Sequence, residues 1–191
     1  MMKKTLSLLF ASSLALSAAE TVASLYDGQL KMAESEIVSL AEAVPESAYN
    51  FAPKQGAFQT VRTFGAQLKH VAAVAYLCAA TASKEKVPVD LGKDENGPDS
   101  IKTKAQIVQY LKDSFAYAHK SMAKLTAENQ LEAVPAPFPG APPMMRGELS
   151  SLIVSHTFDH YGQIVVYARM NNVVPPASVP PPPAPPAGKK K

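Results

Sequence analysis

Four stretches of this 191-residue chain carry apolar side chains at the spacing of one helical face, and proline closes the first and the last of them. From about Glu20 to Val44, the residues Val22, Leu25, Tyr26, Ala33, Ile37, Leu40 and Val44 share a stripe that stops at Pro45. From about Gln59 to Ser83 the stripe is Val61, Phe64, Leu68, Val71, Val74, Leu77 and Cys78. From about Thr103 to Ala127 it is Ile107, Val108, Leu111, Phe115, Ala118, Met122 and Leu125. The last stretch runs from about Gly147 to Asn172, and Pro175-Pro176 forbids its continuation. No sustained alternation suggests strands. Each amphipathic rod must bury its stripe against the others, so the spacing predicts an all-α protein, a four-helix bundle.

The connections limit how the rods are joined. Helices of about 25 residues span roughly 37 Å. Residues 45–58, 84–102 and 128–146 are long for a plain up-down bundle, and the middle one can run the length of the molecule. That permits the second and third helices to be parallel without demanding it. Connectors of this size are often functional.

The two ends read differently from the body. Lys3 and Lys4, the apolar run Leu6 to Leu16 and the small residues Ser17-Ala18-Ala19 have the order of a cleaved signal peptide, residues 1–19. The run is short for a membrane span, and no cysteine near the cut suggests a lipid anchor. The expectation is export, to a periplasm or the medium, with no membrane anchor after cleavage. Residues 20–174 then form one domain, long enough to bury a real core. Residues 175–191 are rich in proline and end in three lysines, a composition that favours an extended, solvated tail able to dock a partner.

Charge excludes one class of partner. Without Lys3 and Lys4 the 19 basic residues become 17, against 16 acidic ones. No basic stripe with interleaved aromatics occurs, which argues against nucleic acid. Cys78 is alone, so no internal disulfide can form, and its Ala/Val-rich surroundings read as core.

Chemistry points to histidine. Of four histidines, His156 and His160 lie one helical turn apart, on one face and about 6 Å apart along the axis. Counted in sevens, Leu149, His156, Gln163 and Met170 form one seam, and Ile153, His160 and Tyr167 the next. Polar rings on such seams cost free energy unless each finds a partner. A shared metal ion would serve both rings, and so would neighbouring side chains. Most catalytic zinc takes three protein ligands. His70, midway along the second helix, and His119, flanking the third stripe beside Lys120, compete for the third place; position favours His70. The glutamate of His-Glu-x-x-His, the Glu-x-x-His of di-iron bundles, Cys-x-x-Cys-His and a nucleophile elbow are all missing.

Two stretches carry a family likeness. Phe58-Gln59-Thr60-Val61-Arg62-Thr63-Phe64-Gly65-Ala66-Gln67-Leu68-Lys69-His70-Val71-Ala72 resembles the histidine helix of the DinB/YfiT-like metalloenzymes. The stretch from His156-Thr157-Phe158-Asp159-His160-Tyr161 to Val174-Pro175-Pro176 resembles that family's last helix, its proline stop included. The resemblance spans about residues 20–176. It implies an up-down-down-up bundle holding one divalent ion, zinc or nickel, on three histidines that map onto His70, His156 and His160. It also implies metal-assisted transferase or hydrolase chemistry on a small-molecule substrate, through an activated water or thiol. The alternative is an exported, non-catalytic metal-binding or interaction module, and a homodimer is compatible with either.

Neighbouring groups have lesser expectations. Gln163, seven after His156, is placed to bond a water, a ligand or the core. Asp159 falls on another face from His160 and reads first as a solvated charge. Tyr161 and Tyr167 carry no expected chemistry. Arg62 and Arg169 read first as solvated guanidinium groups with a capacity for anions.

Overall fold

The computed structural model describes residues 20–180; the expected signal peptide and the tail beyond Pro180 lie outside them. Four helices dominate: α1 (Val22–Ala43), α2 (Phe64–Ser83), α3 (Lys104–Met122) and α4 (Arg146–Met170). Side chains close three of the N-termini. Thr21 accepts from the Ser24 amide, Thr63 from the Ala66 amide and Thr103 from the Gln106 amide, each taking up a donor that the first turn leaves unpaired. At α4, Glu148 reaches back to accept from the Met145 amide.

Contacts between ends fix the directions. Lys104, at the start of α3, donates to the carbonyls of Glu42 and Val44 at the end of α1, so these two run antiparallel. Ser83 and Ser121, near the ends of α2 and α3, bond to each other at 2.8 Å, so this pair is parallel. Arg146 opens α4 by donating from Nε to the Ala82 carbonyl that closes α2, at 2.6 Å. Tyr161 of α4 meets Glu36 of α1, with both helices running the same way. The order is up-down-down-up, and the connector over residues 84–103 makes the long crossover that the parallel pair requires.

Buried Leu30, Ile37 and Leu40 of α1, Leu68 and Val71 of α2, Leu111 and Phe115 of α3, and Ile153 and Ile164 of α4 share one core. α2 is buried nearly all round, because it packs against both α3 and α4 and is covered by a loop. Its alanines, among them Ala72, Ala75 and Ala79, let those neighbours approach.

Several expectations are corrected at the edges of elements. α2 starts at Phe64 rather than Gln59: the Phe64 and Gly65 amides bond outward to the Phe51 and Tyr49 carbonyls, and Thr60 has a φ of +70°. α3 stops at Met122 rather than Ala127. There Thr126 and Asn129 exchange side-chain and backbone bonds, which competes with the helix. Leu125 is buried from that turn, so it continues the stripe without continuing the helix. Leu25 is 58% exposed, and Leu30 takes the core position instead. Residues 133–134 and 144–145 form a two-residue antiparallel pair inside the third connector, too short for any alternation to reveal. Pro176–Ser178 forms a single 3₁₀ turn against α1, held by Arg169 donating to Ser178 at 2.9 Å.

On α4 the two seven-residue seams part company. Ile153, His160 and Tyr167 stay buried, while the other seam passes from buried Leu149 through half-buried His156 to exposed Gln163 and Met170. Seven residues fall about 20° short of two full turns in a straight helix, so a seam drifts off the face. His160 thus sits in the buried wall and His156 at its edge.

Candidate metal centre

The one-turn spacing brings His156 and His160 onto the α4 face that packs on α2, where His70 meets them. Nε2 of His156 lies 3.3 Å from Nε2 of His70 and 3.1 Å from Nε2 of His160. The three candidate ligand atoms all fall within 4.8 Å of one another. Two zinc–nitrogen bonds of about 2.0–2.1 Å at a tetrahedral angle would set their nitrogens about 3.3 Å apart. The rings approach edge to face, with planes inclined by 64–75° across the three pairs, so the nitrogens converge and the faces do not stack.

The outer nitrogens decide what the inner ones can do. His70 Nδ1 lies 2.8 Å from the Glu95 carbonyl oxygen, which only accepts, so the proton of that ring sits on Nδ1. For His160 the proton is set through a chain. The Asp159 carboxylate accepts from the Gln163 amide nitrogen at 3.1 Å, and Gln163 Oε1 accepts from the Gln67 amide nitrogen at 3.0 Å. Gln67 Oε1 is thereby turned to His160 Nδ1 and accepts its proton. Both rings present an unprotonated Nε2 inward. His156 can donate one N–H to one of them but not to both. In a protein-only cluster one nitrogen pair therefore always meets lone pair to lone pair, and a cation removes that conflict. Three neutral imidazoles are a donor set that suits zinc and nickel.

The electrostatics agree. Burial, followed by the charges of His160 and His70, pushes the His156 imidazole down to about 3. Burial, with His70 and Arg62 behind it, brings His160 down to about 4. Burial also lowers His70, against the opposing pull of the Glu95 carbonyl. All three rings are thus neutral at physiological pH, the form that ligates.

A cleft of about 450 Å³ opens beside the triad, with His160, Gln67, Gln163, Arg62 and Asn96 in its wall. One side of it rests on the loop over residues 90–98. Asp94 and Glu95 take φ values of +53° and +52°, unusual for residues with side chains, and this turn aims the Glu95 carbonyl at His70. Lys69 donates to the Pro98 carbonyl at 2.7 Å and Tyr110 to the Asp90 carbonyl at 3.2 Å, which pins the loop to α2 and α3.

His70, His156 and His160 are therefore brought together, and His119 is not. His119 lies between α1 and α3, its Nδ1 2.6 Å from Asp27 and its Nε2 2.9 Å from Glu34, with both nitrogens engaged by carboxylates. Gln163 and Asp159, only lesser candidates by sequence, join the chain that orients His160. Tyr161 donates to Glu36 at 2.7 Å, and Tyr167 packs edge-on to Phe51. Gln67, Asn96 and the Glu95 carbonyl were not foreseen. Gln67 alone had a signal in the sequence, an amide one turn before His70 and next to Leu68 of the apolar stripe; it is buried in the structure.

Comparison with known proteins bears on the family and the fold. Residues 29–164 match the sequence pattern of the DinB superfamily. A solved DinB-like protein of Bacillus subtilis is similar in fold, at 16% identity and a TM-score of 0.60, covering 82% of this chain and 95% of that one. A DinB-like protein of Bacillus cereus is 12% identical with a TM-score of 0.61, covering 79% of this chain and 93% of that one. At such identities the likeness speaks for the fold alone. No curated protein matches the chain.

Proposed function

The chain belongs to the DinB superfamily, and on that premise we propose a divalent-metal-dependent enzyme in which Nε2 of His70, His156 and His160 hold one zinc or nickel ion. The observation that carries this reading is the convergence of three neutral imidazoles, two of them with their outer nitrogens already committed. When bound, the ion would supply a Lewis acid that brings the pKa of a water or thiol at its remaining position toward 7.

The chain's own residues do the rest. Gln67 and the Glu95 carbonyl hold two of the rings in register, with Nε2 of each turned toward the ion they would share. Helices α2 and α4 wall the triad on one side. The cleft lets water or a small substrate reach the other. Three protein ligands beside an opening favour catalysis over a structural ion, whose sites are usually closed by four. Transferase or hydrolase chemistry on an activated water or thiol fits this arrangement. The lysines and apolar run of residues 1–19 support the accompanying proposal that the protein is exported.

An exchangeable ligand position distinguishes the enzyme from a storage or structural site. Protein loaded with cobalt(II) is expected to change its visible spectrum when 2-mercaptoethanol is added, with a sulfur-to-metal band appearing. A loaded protein whose spectrum ignores the thiol would return the ion to a structural role.

A further inference from the structure

The cleft beside the triad holds one fixed cation. Arg62 lies just ahead of Thr63, the residue that caps α2, and it is half-buried. Its Nε donates to Asn96 Oδ1 at 2.7 Å. Asn96 is held in turn, donating from Nδ2 to the Lys93 carbonyl at 2.9 Å. Among the described residues Arg62 makes no ion pair. The cleft wall includes neutral Thr60, Gln67, Asn96 and Gln163, and no carboxylate.

A guanidinium carries five donors in a planar fork. With Nε occupied by Asn96, the two terminal nitrogens remain as a pair matched to two oxygens of one anion. A charge held this way, half out of water and without a counter-ion, is placed to bind one. His160 lines the same cleft, so a molecule anchored on Arg62 also faces the triad.

We infer that Arg62, oriented by Asn96, anchors an oxyanionic group, carboxylate or phosphate, of the molecule whose other end ligates the ion. The proposal rests on the metal site argued above and deepens it: the substrate is an anion with a metal-seeking atom a few bonds from its charge. Arg62 is a binding residue here. The neutral amides around it supply hydrogen bonds without repelling the anion.

The test compares three thiols on the cobalt-loaded full chain, reading the sulfur-to-cobalt band. 2-Mercaptoethanol carries no anion, mercaptoacetate carries a carboxylate and 2-mercaptoethyl phosphate carries a phosphate. The wild type is expected to prefer one or both anionic thiols by about tenfold or more, the scale of a paired charge-assisted contact. Which of the two is preferred identifies the group. Arg62→Gln should erase that preference while leaving cobalt stoichiometry and 2-mercaptoethanol affinity unchanged, which also excludes simple chelation by the probe. Arg62→Lys should restore part of it, as a point charge without the fork. Asn96→Ala, which frees Nε but keeps the charge, should weaken the preference without abolishing it. If wild type and Arg62→Gln rank the three thiols alike, the anion site is wrong and the metal site stands. If the wild type takes up no cobalt, both readings fall.

Discussion

A neutral imidazole has one lone pair, and the nitrogen that carries it decides whether the ring can ligate. In His160 that choice is made by an acceptor-only carboxylate two amides away, since Asp159 orients Gln163, Gln163 orients Gln67, and Gln67 holds the ring proton on Nδ1. Replacing Gln67 by Leu keeps the volume and removes the acceptor. The expected result is a helical protein whose zinc affinity falls about 10–100-fold, measured by competition with a chromogenic chelator. Gln67→Glu, which retains an acceptor for His160, should lose less. Equal affinities in all three proteins would show that the chain of amides does not govern the ligand. The sequence revealed the ligands more readily than their supports. His156 and His160 declare themselves by spacing and seam, and His70 by its place midway along the second apolar stretch and by the family likeness. The partner of Gln67 is 93 residues away in the chain, so no local pattern could announce it. The chain fragment Glu95-Asn96 contributes a carbonyl and a short side chain from a loop, where backbone conformation and not residue type sets the direction.

At the scale of elements, the loop over residues 90–98 is the part most exposed to a single change. Gly92 has φ of +68° and ψ of 178°, a region that essentially only glycine enters. A Cβ there would stand 2.0 Å from the Gly97 carbonyl oxygen, with no flexible side chain able to yield. Gly92→Ala should therefore cost about 1–3 kcal/mol of stability. It should also weaken metal binding, because the Glu95 carbonyl can no longer meet His70. Urea denaturation and chelator competition check the two effects. A variant as stable and as tight as the wild type would mean that the loop does not hold the site. The helices themselves were legible because each has a stripe, yet the start of α2 and the end of α3 were read through the stripe and so missed by five residues each. Val61 and Leu125 are apolar at helical spacing but lie in segments whose amides and side chains bond elsewhere. Thr63, whose side chain accepts from the Ala66 amide three residues on, was the better signal of the start of α2, as Thr103 was for α3, where the expected start agrees.

At the scale of the whole molecule, the fold works by setting two antiparallel helices, α2 and α4, so that His70 of one meets His156 and His160 of the other, while α1 and α3 close the other side. Direction was only half legible: a long connector allowed α2 and α3 to be parallel, and the contacts between Ser83 and Ser121 and between Lys104 and Val44 decide it. Burying three imidazoles in this frame links stability to pH. His156 and His160 titrate near 3 and 4 in the folded chain, against about 6.5 when unfolded. Between those values the unfolded state binds more protons, so metal-free protein is fully stable above about pH 6.5 and loses stability as the pH falls toward 4. Thermal melts of metal-free wild type should fall across that window more steeply than those of His156→Gln; parallel curves would contradict the depressed values. The central claim is tested most directly by metal content. Elemental analysis of untagged protein, after exposure to zinc and gel filtration, should find one ion per chain in the wild type and in His119→Ala. His70→Ala, His156→Ala and His160→Ala should each retain far less than one. An ion kept by all three, or lost in His119→Ala, would contradict the account.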